Sequence, residues 1–414
     1  METASEIKHL KAEWKAIMSC MGCGDCGYAI RPAVGRYLTC PVKESKGEEG
    51  FEIYFSRGRM NVLKSVLEGK LPLSRDLAEF VYQCSECGNC NEVCHKTQNE
   101  NLVLNTSKWI DHVKVWEALR KDLVEAGYAP LEKHENLIEN MKNDDMRNPY
   151  GEEKAKKLDW ASEFPNLKDK GDFVFFAGCT IPLRQLDTLK NLMKILEASG
   201  KEIAISKDEW CCGSIGLRIG EEKPIEELIK HNVEEYKSMG AKTLFTACAG
   251  CYRTIKKDYP EILGEALPFE VKHITEILVD LINNNQIPFK TGEVEKLKVT
   301  YHDPCHLGRH TNLYDVPREV VSKIPGVELI EMKRNRKNAW CCGAGAGVKS
   351  QFPELAKDIA KERLREAAET GAQMLTTSCP FCIGNLNDAY EEMEPEIKEK
   401  IRIIDVIDLI ALKI

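Results

Sequence analysis

Apolar residues recur at intervals of three and four from Ser107 to Gly127, where Trp109, Ile110, Val113, Trp116, Leu119 and Val124 fall on one side. That spacing predicts an amphipathic helix. Residues 57–82 predict two more, RGRMNVLKSVLEG and SRDLAEFVYQC, parted at Pro72. After the 107–127 helix the chain turns polar as far as Lys170, rich in Asn, Lys and Glu, and reads as a linker or interaction arm. From residue 172 short apolar runs alternate with helical stretches. Strands are predicted at Phe173–Ala177, Glu202–Ile205 and Thr243–Ala247, and again at Lys298–Tyr301, Val327–Glu331 and Gln373–Thr377. Apolar closing helices follow at HITEILVDLI and RIIDVIDLIAL, with Ile274 matching Ile404, and Thr275 matching Asp405 as candidate N-cap. Alternating strands and helices imply α/β units built on parallel sheets.

The second half is one unit written twice. Trp210-Cys211-Cys212-Gly213 recurs as Trp340-Cys341-Cys342-Gly343, each with one cysteine upstream and a Cys-x-x-Cys downstream. The first set is Cys179, Cys211, Cys212, Cys248 and Cys251; the second is Cys305, Cys341, Cys342, Cys379 and Cys382. Their offsets of 126, 130, 130, 131 and 131 identify a duplication. Adjacent cysteines make poor disulfides: consecutive Cα atoms are about 3.8 Å apart, below the roughly 4.4–6.8 Å of a relaxed bridge. Two thiolates about 4 Å apart would repel by about 4 kcal/mol at an effective dielectric near 20. A polycationic centre removes that conflict, and soft thiolates select iron–sulfur clusters, zinc or copper(I). Five cysteines exceed what one tetrahedral zinc can use, so spacing alone points to a polynuclear iron–sulfur site.

The other eight cysteines lie in the first hundred residues. Cys20, Cys23 and Cys26 stand three apart, and Cys40 follows; Cys84, Cys87, Cys90 and Cys94 then run C-x2-C-x2-C-x3-C, with His95 where a proline is usual. In the bacterial ferredoxin signature the fourth cysteine serves the other cluster. The expectation is two cubane [4Fe–4S] clusters, one on Cys20, Cys23, Cys26 and Cys94, the other on Cys84, Cys87, Cys90 and Cys40. A three-iron cluster with Cys40 merely buried is the alternative for the first set. Gly22, Gly24, Gly27 and Gly88 suit backbone passing close to sulfur. Arg57 and Arg59 are read as solvated rather than as neighbours of a cluster. His112 and His134 are read as packing or surface residues, and His302, His306 and His310, around Cys305, as structural rather than as proton donors.

Composition narrows the class. With 414 residues, 43% hydrophobic and 30% charged, the chain has ample length for two or three cores. A net charge of −8 without a dense basic block argues against nucleic acid. No apolar run approaches the roughly 20 residues of a membrane span, and METASEIKHLKAEWKAIM is too charged for a signal peptide. Eighteen clustered cysteines then indicate metal ligands in a reducing compartment. The expected location is cytoplasmic, with any membrane association through a partner protein. Gly343, Gly345 and Gly347 lack the spacing of a dinucleotide fingerprint and are read as clearance for a cluster.

Two C-x(31–39)-C-C-x(35–36)-C-x-x-C repeats, with the Gly of each turn counted in the second gap, behind a two-cluster ferredoxin part resemble the D subunit of heterodisulfide reductase along nearly the whole chain. The resemblance implies an α+β / α/β architecture, a helical ferredoxin-like domain followed by two cysteine-rich (CCG) repeats. The boundaries it suggests are 1–106 for the ferredoxin-like part, 107–171 for a helical connector, and 172–290 and 291–414 for the repeats. It implies that each five-cysteine set binds a noncubane [4Fe–4S] cluster and that the pair cleaves a disulfide, each taking one sulfur. The expected cofactors are thus two cubane and two noncubane clusters. The expected partners are a disulfide or thiol substrate and redox subunits, a flavoprotein or a membrane cytochrome b. The same architecture resembles the iron–sulfur subunits of glycolate and lactate dehydrogenases, which implies the alternative of a non-catalytic relay from a flavin dehydrogenase to a quinone or cytochrome b.

Overall fold

The computed structural model describes residues 7–31, 35–45, 51–95, 109–290, 292 and 295–414. The expected boundary at 106/107, the first residues of the 107–127 helix and Thr291 at the expected repeat junction lie outside them. The chain divides into two compact units. One comprises Met1–Glu135, Ile215–Glu222 and Lys333–Arg363; the other Asn136–Ser214, Lys223–Met332 and Leu364–Ile414.

The first unit is mainly helical, with one antiparallel hairpin, β1 (Tyr28–Arg31) and β2 (Gly35–Leu38). Helices α1 (Ser56–Leu67) and α2 (Arg75–Tyr82) stand either side of the break at Pro72, and Ser74 caps α2 by accepting from the Leu77 N–H at 3.2 Å. Helix α3 starts at His112, where the Asp111 carboxylate accepts from the Val113 and Lys114 amides, an N-cap. Arg120 of α3 is fully buried. It pairs with Glu86 at 2.8 Å and donates to the carbonyls of Val81, Cys84, Arg218 and Ala346. One side chain thus ties the Cys84–Cys87 loop to two distant stretches of sequence. No helix among the described residues is long and apolar enough to cross a membrane.

The second unit contains two four-stranded parallel sheets of the same topology. In chain order the strands are β3 (Phe173–Phe176), β4 (Ala204–Ile205), β5 (Thr243–Thr246) and β6 (Glu270–His273), then β7 (Leu297–Tyr301), β8 (Val327–Leu329), β9 (Met374–Thr377) and β10 (Arg402–Asp405). The spatial orders are β4-β3-β5-β6 and β8-β7-β9-β10. The fourth strands correct the sequence reading, in which RIID belonged to a closing helix: it pairs with β9 as β10. The closing helices therefore start later, α5 at Ile274 and α7 at Val406. Their caps are His273, with Glu276 completing a capping box, and Asp405; Thr275 is inside its helix. Asp405 ends the strand and caps the helix at once, so no loop parts the two and hydrophobicity alone merged them.

Helix α4 (Leu186–Ala198) of the first repeat packs on α7 (Val406–Ala411) of the second, and α5 (Ile274–Asn283) packs on α6 (Asp315–Lys323). The first helix of each repeat thus meets the last helix of the other, the reciprocal pattern of a twofold-related pair. Leu189, Leu192, Leu196, Ile277, Leu281, Val320, Val321, Val406 and Leu409 form one shared core between the sheets. Thr188 and Asn191 also bond Asp408, at 2.7 and 2.9 Å.

The polar stretch expected as a linker or arm is packed. Helix Glu132–Lys142 and a 3-10 segment Lys154–Glu163 cross it, with Asn148, Lys157 and Trp160 buried. Its polarity serves the second unit: Lys157 reaches the carboxylate and carbonyl of Glu209, and the Arg147 carbonyl accepts from the Cys211 amide at 2.9 Å.

Candidate iron–sulfur centres

In the first unit the eight N-terminal cysteines border two cavities. Cys20, Cys23, Cys26 and Cys94 line one; Cys40, Cys84, Cys87 and Cys90 line the other, which Cys26 also borders. Cys94 is thus grouped with the early cysteines and Cys40 with the late ones. Burial pushes the Cys26 thiol up to about 12 and Cys40 up to about 11, and raises Cys90 strongly, with neighbouring sulfurs adding to it. Such crowded thiols keep their protons unless a cationic centre replaces them, so the donor sets fit iron. The Arg57 amide donates to Cys26 Sγ at 3.2 Å, the kind of N–H···S bond that supports a ligand. His95 meets Asp25 at 2.7 Å.

One reading of this region changes. Arg59 is not solvated: it is 2% exposed and lines the cavity of Cys40, Cys84, Cys87 and Cys90. His112 and His134 are buried and bonded, His112 to the Ser56 hydroxyl at 2.5 Å and His134 to the Gly347 carbonyl at 3.0 Å, and burial lowers both to about 4.

In the second unit Cys179 and Cys248 follow β3 and β5, the central pair at which strand order reverses. Open α/β sheets place their ligands at this switch point. Cys305 and Cys379 follow β7 and β9 in the same way. Cys248 caps the helix Ala249–Arg253 and Cys379 the helix Pro380–Glu391, where the helix dipole favours anionic sulfur. The five thiols of the first set are neighbours in series, each acting on the next from Cys179 through Cys211, Cys212 and Cys251 to Cys248. Bonds from Cys211 and Cys251 bring Cys212 down to about 6, whereas the bond to Cys211 and burial drive Cys179 well up. The series continues from Cys248 to Cys379. These are equivalent positions of the two repeats, so they meet where the pseudo-twofold axis must pass.

Of the second set, Cys305, Cys379 and Cys382 belong to this unit, and Cys341 and Cys342 to the first. Cys305 is half-buried, and its sulfur lies with ring nitrogens of His306 and His310 inside a 4.8 Å cluster. His302 is buried. In the first unit Cys341 Sγ is 3.5 Å from the Ser85 hydroxyl, between Cys84 and Cys87.

The Trp-Cys-Cys-Gly turns share a local design. The Gly213 and Gly343 amides donate back to Cys211 and Cys341 at 3.4 and 3.3 Å, with φ of +79° and +88°. The glycines clear protein: a Cβ on Gly343 would lie 2.4 Å from the Ala356 carbonyl oxygen, and one on Gly345 2.6 Å from that of Ser85.

Sequence reasoning missed the charges behind the cysteine loops. Glu209 accepts from the Ala177 and Gly178 amides at 2.9 and 2.8 Å and from the Tyr236 hydroxyl at 2.8 Å, holding the loop that ends in Cys179. In the second repeat Arg318 grips Asp303, two residues before Cys305, through both guanidinium nitrogens at 2.6 and 2.9 Å, and Glu331 as well. The adjacency of Glu209 to Trp210, and of Asp303 to Cys305, was the available signal.

These features define an iron–sulfur electron-transfer protein, a dicluster ferredoxin part joined to duplicated cysteine-rich domains. The 4Fe-4S dicluster domain matches residues 16–97 and the cysteine-rich CCG domain residues 173–256 and 299–387. The chain is 38% identical over 410 residues to the D subunit of the dihydromethanophenazine:CoB–CoM heterodisulfide reductase of Methanosarcina mazei, covering 95% of this chain and 93% of that one. It belongs to the family of heterodisulfide reductase D subunits. It is also 29% identical to the B subunit of the CoM/CoB fumarate reductase of Methanothermobacter marburgensis, over 99% of this chain and 76% of that one. With the EtfAB:quinone oxidoreductase of Syntrophomonas wolfei it shares 28% identity, over 80% of this chain and 46% of that one.

Proposed function

We propose that the chain is the disulfide-reducing subunit of an oxidoreductase complex. In this reading Cys20, Cys23, Cys26 and Cys94 hold one cubane cluster, and Cys40, Cys84, Cys87 and Cys90 a second. Cys179, Cys211, Cys212, Cys248 and Cys251 hold one noncubane cluster, and by repeat equivalence Cys305, Cys341, Cys342, Cys379 and Cys382 the other. The observation that carries it is the approach of Cys248 to its equivalent, Cys379. A relay needs its centres only in series; cleavage of one disulfide needs two like sites meeting about an axis, so that both sulfurs are captured together. Holding both halves in place replaces a bimolecular encounter.

Bound clusters supply electrons and iron positions that accept sulfur. The protein positions them through the strand ends, the helix N-termini at Cys248 and Cys379, and the loops held by Glu209 and Asp303. His306 and His310, read from sequence as structural, lie beside half-buried Cys305 and in this reading are instead the proton source for the departing thiols. The net change is R–S–S–R′ + 2e⁻ + 2H⁺ → RSH + R′SH, with a heterodisulfide as substrate; the Methanosarcina relative's name states the CoB–CoM heterodisulfide for that protein. Electrons come from a partner flavoprotein or cytochrome b, at the cytoplasmic face of a membrane complex.

The test is anaerobic. Purified protein should carry about sixteen irons, from two cubane and two noncubane clusters, and with reduced viologen should turn over the CoB–CoM heterodisulfide. Fully loaded protein that is reoxidised by a quinone analogue but by no disulfide would establish the relay.

A further inference from the structure

We propose that Arg59 sets the direction of electron flow through the N-terminal part, by raising the reduction potential of the cluster on Cys40, Cys84, Cys87 and Cys90 above that of the cluster on Cys20, Cys23, Cys26 and Cys94. The inference rests on the cubane ligand sets proposed above. It does not depend on disulfide cleavage.

Arg59 stands in the first turn of α1, behind the inner cavity, with its guanidinium 5.4 Å from the Phe80 ring centre and 5.9 Å from that of Trp116. Its Nε and Nη2 atoms have no hydrogen-bond partner among the described residues, and no carboxylate there pairs with it. An unpaired guanidinium buried against two aromatic rings is costly unless an anion faces it. The same cavity is lined by Cys40, Cys84, Cys87 and Cys90, and its one carboxylate, Glu86, is taken up by Arg120 at 2.8 Å. A four-thiolate cluster is negative when oxidised and more negative when reduced, so a fixed cation stabilises the reduced form more and raises the potential.

Among the described residues the other set has no cation as deeply buried: Lys64 donates to the Cys20 carbonyl at 3.1 Å but is only half-buried. Arg57 lies beside it but pairs with Glu52 and is about a quarter exposed, so its charge is neutralised and screened. The inner loop is also the one whose Ser85 touches Cys341. A higher potential there collects electrons next to the second cysteine-rich repeat.

The experiment is an anaerobic redox titration of the full chain followed by EPR. Wild type should show two cubane potentials. Cys23→Ser, in the outer set, should disturb only the lower one. Arg59→Gln should lower the higher potential by at least a tenfold change in its one-electron equilibrium, about 59 mV. Arg59→Lys should keep most of the difference, and Arg57→Gln should leave the higher potential in place. An unmoved potential in cluster-loaded Arg59→Gln overturns the proposal. If that variant does not assemble, a wild-type inner cluster equal to or below the outer one overturns it equally. Loss of the higher-potential signal in Cys23→Ser would instead refute the ligand sets, and the proposal with them.

Discussion

The two cysteine-rich repeats share strand order, ligand spacing and the glycine turn, yet they secure the loop of their first cysteine with opposite chemistry. In the first, a buried anion, Glu209, receives two backbone amides, with Lys157 as counter-charge. In the second, the loop supplies the anion, Asp303, and a buried cation, Arg318, grips it. Exposure differs as well: Cys179 is buried, whereas Cys305 is half-buried beside two histidines. Ligand positions are constrained by sulfur geometry, while any satisfied charge pair will hold a loop. Duplicated sites therefore keep their cysteines and diverge behind them.

The comparison breaks most sharply at Glu209. Glu209→Ala strands Lys157 and leaves two buried amides unpaired, and should cost about 3–5 kcal/mol. Denaturant unfolding, with iron content after gel filtration, should show loss of stability and of the iron bound by the first cysteine-rich repeat. Arg318→Ala should cost somewhat less, because Glu331 is partly exposed, and should affect the second site. If both variants lower the same site, the two devices do not act locally.

A smaller contrast lies in the glycine turns. Gly343→Ala meets a backbone oxygen at 2.4 Å, whereas Gly213→Ala meets the movable Cγ2 of Ile225 at 2.3 Å. Both pay about 1 kcal/mol for the left-handed conformation. Gly343→Ala should lose roughly 1–3 kcal/mol more through overpacking. Equal midpoints in urea would show that the helix carrying Ala356 yields as readily as a side chain.

The tryptophans give the smallest effect. Trp340 is fully buried and donates to the Ile359 carbonyl at 2.9 Å; Trp210 is partly exposed, stacked on His231 with centroids 3.7 Å apart and covered by Arg147. Trp340→Phe should lose about 1 kcal/mol of stability through the missing hydrogen bond, and Trp210→Phe less than half of that. Melting temperatures that fall equally would mean that the exposed stack contributes as much as the buried bond.

Sequence by itself determined the duplication, the α/β character of the repeats and the family, because ligand geometry repeats at fixed intervals and strand and helix periods are local. It also determined the helices on either side of Pro72, where Ser74 and the break are adjacent in sequence. It did not separate β10 from α7, since no polar residue parts them ahead of Asp405, the helix's own cap. Three matters were decided only by tertiary structure. Arg59, indistinguishable in sequence from a surface arginine, is buried beside sulfur because α1 turns that face toward α2 and α3. The polar stretch before residue 171 is packed because its charged residues find partners far along the chain, as Lys157 does in Glu209. Cys248 meets Cys379 because the helices of each repeat pack reciprocally on those of the other. In each case the deciding contact joins residues distant in sequence, where no local pattern records the partner.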